Sequence, residues 1–237
     1  MNETKLTDEY FEKCKKTSWM TKEFNWYWYT INNRKAIGDM SYLYHKYQPT
    51  SYKDFYIKYV TDKDDDGDVR HRGRSEQELL ELAHKYQRIS KRYDLPISTF
   101  YNNLTWHIII QSFDGHKYEQ QFINYINSLG YNAVTVNSNL DAEYGVDIEV
   151  FDNNKRLFFI QVKPITFMIG NKNASLINDR KLAYKKRNKI KEKYNVPILL
   201  VCYSLNKATK EIEWLQHNNG KCLFKFEELF NSDGTVN

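Results

Sequence analysis

Between Gly145 and Lys163 the chain reads GVDIEVFDNNKRLFFIQVK, and three of its side chains have the types and spacing for phosphoryl chemistry. Asp147 heads one run rich in β-branched and aromatic residues, and Gln161 and Lys163 close the next. Asp152-Asn153-Asn154 lies between them as a turn, so the stretch reads as a hairpin. Side chains alternate across a strand, which puts Gln161 and Lys163 on one face and Val162 on the other. Any register that pairs odd with odd positions brings Asp147 to that same face, close to Gln161. A carboxylate, an amide oxygen and an ammonium then meet at a sheet edge. Mg²⁺ takes oxygen ligands and keeps several waters, so few protein donors suffice when a phosphate supplies others. Asp147 is the anionic candidate ligand, the Gln161 side-chain carbonyl a neutral one, and the Val162 backbone carbonyl a third. Lys163 would favour deprotonation of an attacking water or stabilise charge building on a phosphorane. The plainer reading of the same residues is an amphipathic hairpin with a polar wet face.

The elements that must position these groups are readable on either side. Lys117 to Leu129 has helical periodicity, with Tyr118, Phe122, Tyr125, Ile126 and Leu129 on one face and Glu119 at its margin. Gly115 and Gly130 bracket it as start and C-cap. A short apolar strand, Asn132 to Val136, and a polar loop lead to the hairpin. Downstream come a basic helix, roughly Leu176 to Tyr194, and an apolar strand, Val196 to Tyr203. The order is helix, three strands, helix, strand.

In that order and in those residues the chain resembles the PD-(D/E)xK nuclease superfamily, over roughly Phe113 to Leu215. The resemblance implies an α/β fold, a central mixed β-sheet flanked by helices in the order αβββαβ, with a mainly helical N-terminal region. It matches Glu119 to the helix glutamate, Asp147 to the metal-binding aspartate, Gln161 to the second metal position and Lys163 to the catalytic lysine. Gln161 replaces the more common glutamate and removes one negative charge, which gives Glu119 more weight; Glu149, two residues along from Asp147, is in reserve. Gly73-Arg74-Ser75, Ser112-Phe113-Asp114-Gly115, Tyr144-Gly145-Val146-Asp147 and Gln161-Val162-Lys163-Pro164 resemble, more finely, type II restriction endonucleases of the MjaI type, associated with short palindromic sites of the CTAG kind. The resemblance implies Mg²⁺ as cofactor, with Mn²⁺ as substitute, double-stranded DNA as partner, and a homodimer. Junction resolvases, repair or phage nucleases, and an inactive DNA-binding protein on the same scaffold remain as alternatives.

Charge is distributed accordingly. The formal net charge is +5. Arg180, Lys181, Lys185, Lys186, Arg187, Lys189, Lys191 and Lys193 crowd one helix, opposed by Asp179 and Glu192. Such a run is either a solvated face or, beside a phosphodiester-cleaving centre, a phosphate-contacting surface. Arg180, Lys185, Lys186 and Lys189, with Lys172 just upstream, are the DNA-binding candidates here. Arg70, Arg72 and Arg74 form a second set, because arginine is the commonest reader of guanine edges.

Residues 1–100 are read as an aromatic-rich region for DNA recognition or dimerisation, and 101–237 as the catalytic domain. Trp19, Phe24, Trp26, Tyr27, Trp28, Tyr29, Tyr56 and Tyr59 are among its aromatics; they could stack on bases, but core or interface packing fits them better. Ser75 with Glu78 forms a capping box for a helix to Tyr93, striped by Leu79, Leu82, Ala83, Tyr86 and Ile89. Asp62, Asp64, Asp66 and Gly67 imitate a calcium loop, but its twelfth position is Gly73 instead of glutamate, so the run reads as a solvated loop. The histidines have no zinc spacing, and there is no glycine-rich phosphate loop. Cysteines 14, 202 and 222 lack metal-ligand spacing. MNETKLTDEY has no apolar targeting run and no segment approaches a membrane span, so a soluble cytoplasmic protein is expected.

Overall fold

Asn153 and Asn154 both adopt left-handed backbone, at φ +46° and +67°. Asp152 faces Lys155 across them. Two consecutive left-handed residues make the two-residue hairpin turn whose twist matches its strands, and asparagine enters that region more readily than most residues. This turn sets the register as far as Phe151 opposite Arg156; a bulge between Val150 and Phe151 then shifts the pairing by one residue, so that Val150 faces Phe158. The computed structural model describes residues 6–20, 34–62, 67–165, 185–186, 188–206, 209, 211–218 and 222–225. They fall into two compact units, Met1–His116 and Lys117–Asn237.

The second unit is α/β, built on a six-stranded mixed sheet whose spatial order follows the chain: β1 (Asn132–Thr135), β2 (Ile148–Asp152), β3 (Lys155–Pro164), β4 (Ile198–Leu205), β5 (Ile212–Asn218) and β6 (Cys222–Lys225). All neighbours are antiparallel except β3 and β4, which run parallel. A parallel pair needs a long crossover, and within it residues 185–186 and 188–194 are helical. One sheet face buries Ile148, Val150, Ile160 and Val162 against Phe122, Ile123 and Ile126 of the helix Ser112–Ser128. The other buries Val146 and Phe159 against Tyr144 and Ile190. Each such fully buried side chain contributes about 1.5–3 kcal/mol of hydrophobic stabilisation.

The first unit is helical among its described residues: Asp8–Lys16, Arg34–Ile37, Met40–Tyr47, Tyr52–Thr61, Glu76–Ser90 and Ile97–Thr105. Thr7, Asp39, Ser51 and Ser75 cap helix N-termini with their side chains, and the Ser75–Glu78 capping box is present. Phe55, Tyr56, Tyr59, Tyr86 and Phe100 are fully buried, so much of the aromatic content is core. Tyr56 shares a 2.8 Å hydrogen bond with Tyr101, and Tyr59 donates to the Ile37 carbonyl. Phe24, Trp26, Tyr27, Trp28 and Tyr29 lie outside the described residues.

Three local expectations are corrected. Gly115 does not start a helix. It lies inside Ser112–Ser128, continuous through a π-turn at Trp106–Gln111 with Ile97–Thr105, because Ile108, Ile109 and Ile110 bury in the helical core. Residues 101–116 accordingly pack with the helical unit. The polar loop before the hairpin is a helix, Ser138–Tyr144. Two strands, β5 and β6, extend the sheet beyond the expected four.

Candidate active site

The pairing of Ile148 with Ile160 and Glu149 with Phe159 extends to Asp147 opposite Gln161, an odd-with-odd register. Asp147 donates its amide to the Ile160 carbonyl at 2.8 Å. Its carboxylate accepts from the Val162 amide at 2.7 Å and lies 3.4 Å from the Lys163 ammonium. The hairpin thus brings Asp147, Gln161 and Lys163 together, and Val162 contributes its N–H to Asp147 while its side chain packs in the opposite core.

Two further carboxylates act on this cluster. Burial raises the Asp147 carboxyl well above the usual carboxylate range; Lys163 pulls it back, and Glu119 and Asp141 raise it further. Burial works against the charge on Lys163, yet Asp147, Glu119 and Asp141 outweigh it and raise its pKa, so the ammonium stays protonated at neutral pH. Glu119 comes from the helix on the other face of the sheet. Its neighbour Tyr118 stacks at 4.1 Å on Tyr203, the β4 partner of Pro164, which brings the helix to the Lys163 end of β3. Asp141 was missed. It sits on the short helix Ser138–Tyr144, whose signals were Asn137, which caps its N-terminus, and Gly145, its left-handed C-cap. Glu149, the reserve carboxylate, is taken by Arg156 at 2.7 Å.

Among the described residues the Gln161 Oε1 atom is buried with no hydrogen-bond partner. A buried acceptor left unmet costs about 1–3 kcal/mol, and a cation beside Asp147 would relieve both that cost and the buried negative charge. Among the described residues no group of three or more His, Cys, Asp or Glu side chains is arranged to hold a metal ion. The donor chemistry still fits Mg²⁺, which binds through one or two carboxylates, water and substrate oxygens.

The basic candidates divide. Lys185 and Lys189 are exposed on the crossover helix, Lys186 is half-buried, and Lys172 and Arg180 lie outside the described residues. Arg70 is exposed and pairs with Asp68. Arg72 forks onto Glu78 at 2.7 and 3.1 Å, which holds that carboxyl down at about 2. Arg74 is 4% exposed, and its guanidinium donates to the carbonyls of Lys35, Ala36, Val69, Arg72 and Gly73. It is a structural clamp and has no donor left for a base edge. Asp62, the head of the calcium-like run, accepts from Lys46, Tyr47 and the Gly73 amide instead of facing solvent; Asp64 and Asp66 lie outside the described residues.

No described helix is long and apolar enough to cross a membrane. No protein-family model, curated protein or solved structure matches the chain.

Proposed function

We propose that this chain is a Mg²⁺-dependent, site-specific deoxyribonuclease, a type II restriction endonuclease of the PD-(D/E)xK kind that cuts double-stranded DNA at a short palindrome. The observation that carries the reading is the hairpin register: Asp147 opposite Gln161, with the Lys163 ammonium 3.4 Å from the Asp147 carboxylate and Gln161 Oε1 buried without a partner among the described residues. The helix, strand and crossover order around it is compatible with that superfamily.

Asp147 and Gln161 would hold the metal, with Glu119 and Asp141 adding negative charge nearby. When bound, the ion supplies Lewis acidity toward the phosphate and its attacking water. Lys163 acts as a fixed cation. With three carboxylates raising its pKa it is protonated, so it stabilises the phosphorane as the water oxygen, giving its proton to solvent, bonds to phosphorus and the bridging oxygen leaves with its electron pair and takes a proton from solvent. Exposed Lys185 and Lys189 would track the backbone. One centre cuts one strand, so a twofold dimer on a palindrome supplies the second cut; sedimentation of the DNA-bound protein tests that arrangement.

The deciding experiment is digestion of a sequenced plasmid with Mg²⁺, beside Asp147→Ala and Lys163→Ala. Discrete fragments from the wild type and none from either variant are expected. Progressive degradation would mean an exonuclease, and cutting of branched DNA alone a junction resolvase. A gel shift without nicking in Mg²⁺ or Mn²⁺ would leave a DNA-binding protein on a nuclease scaffold.

A further inference from the structure

Gly145 ends the helix Ser138–Tyr144 in left-handed backbone, φ +66°. A β-carbon there would lie 3.4 Å from Gln161 Nε2 and 3.6 Å from Lys186 Cδ. The aliphatic stem of Lys186 is therefore laid over the same glycine that backs the Gln161 amide. The crossover helix explains why. Ile190 is fully buried on the sheet, and Tyr194 meets the Phe159 ring edge-on at 5.4 Å. Lys186 precedes these two at four-residue spacing and shares their face. From Phe159 to Lys163 the strand climbs about 13 Å; from Tyr194 back to Lys186 the helix covers about 12 Å. The two run in opposite senses, so Lys186 ends at the level of Gln161 and Lys163. Lys185 and Lys189 are exposed off this face.

We propose that Lys186 is a positioning residue of this centre, holding through its ammonium a DNA phosphate next to the one that is cut, in a role separate from that of Lys185 and Lys189. The inference rests on the nuclease reading. A compact cation on a long stem binds phosphate as a point charge without fixing its orientation, and the Lys186 stem passes Gly145 beside the Gln161 amide. A misplaced phosphate costs turnover more than binding, because affinity is spread over many contacts while attack needs one alignment.

The test compares steady-state cleavage by the full chain carrying Lys186→Met, which keeps the stem and removes the charge, Lys186→Gln, Lys186→Arg and Lys185→Met. Lys155→Met, at the exposed hairpin turn, is the reference for a surface change. Lys186→Met and Lys186→Gln are expected to lower kcat by about 10- to 100-fold with KM within about threefold, and Lys186→Arg to recover most of the loss. Lys185→Met should move KM and leave kcat. Neutral variants of Lys186 that shift KM alone, as Lys185→Met does, would overturn the inference and leave the nuclease reading intact. A wild type that never cuts DNA with Mg²⁺ or Mn²⁺ would remove the nuclease reading, and this inference with it. Matching thermal midpoints identify which neutral variant is folded and can be read.

Discussion

Replacing Arg74 separates a groove-reading arginine from a structural one. Its five N–H groups meet five backbone carbonyls at 2.6–3.0 Å, on Lys35, Ala36, Val69, Arg72 and Gly73. Burial lowers its pKa, with Arg72 adding to the effect and Tyr59 and Glu78 working against it. Arg74→Met keeps the stem but removes every donor. At a net value of about 1 kcal/mol per bond the loss would approach 5 kcal/mol; rehydration of the outer carbonyls reduces it to about 3–5 kcal/mol, the range for breaking a buried charged network. Arg74→Lys retains three donors and should lose about 1–3 kcal/mol. With a urea slope of about 2 kcal/mol/M, Arg74→Met should lower the unfolding midpoint by about 1.5–2.5 M, followed by far-UV circular dichroism. Arg70→Met, which removes only an exposed pair with Asp68, should leave the midpoint where it is. A wild-type midpoint for Arg74→Met, together with weakened DNA binding, would refute the clamp and return Arg74 to base reading.

Other outcomes follow from the same packing. Gly73→Ala should be among the most damaging single substitutions, by more than about 3 kcal/mol, since its β-carbon would fall 1.8 Å from the Tyr59 carbonyl oxygen; a urea midpoint near wild type would contradict that close approach. Burial lowers the His107 pKa to about 3, against the hydrogen bond to Gln111. The unfolded chain then holds more protons than the folded one between about pH 6.5 and 3, so this stabilisation is complete above about 6.5 and falls by about 1.4 kcal/mol per unit below it. Between pH 6.5 and 5, before most carboxylates titrate, the wild type should lose about 2 kcal/mol more than His107→Gln does, and equal losses would sink the argument. Neutralising Lys185 and Lys189 together should flatten the slope of log affinity against log salt by up to about 0.9 for each phosphate they no longer neutralise; an unchanged slope would make them a solvated face.

The parts of the site set by local rules were already in the sequence. Period-two alternation puts Gln161 and Lys163 on one face, and the two-asparagine turn closes the hairpin, because both depend on adjacent residues. That turn alone would set Asp147 opposite Ile160, and it is the bulge between Val150 and Phe151, decided by packing, that shifts Asp147 opposite Gln161. The Ser75–Glu78 capping box and the stripe behind it were readable for the same reason. Packing between distant segments decided the rest. Arg74, Arg72 and Arg70 are equivalent as a basic cluster, and only the carbonyls of residues 35, 36 and 69 converging on one of them make it a clamp. Gly73-Arg74-Ser75, which resembles a restriction-enzyme motif, has a structural ground at each position: a close backbone approach, a buried fork and a helix cap. Asp141 lay in a segment whose only helical cues were its two caps, and its charge counts because the helix folds back toward Asp147. Lys186 differs from Lys185 and Lys189 in helical phase, and that phase is set where Ile190 and Tyr194 seat on Phe159. Local alternation and capping depend on neighbours in the chain, whereas burial and electrostatic coupling depend on what the folded chain brings from elsewhere.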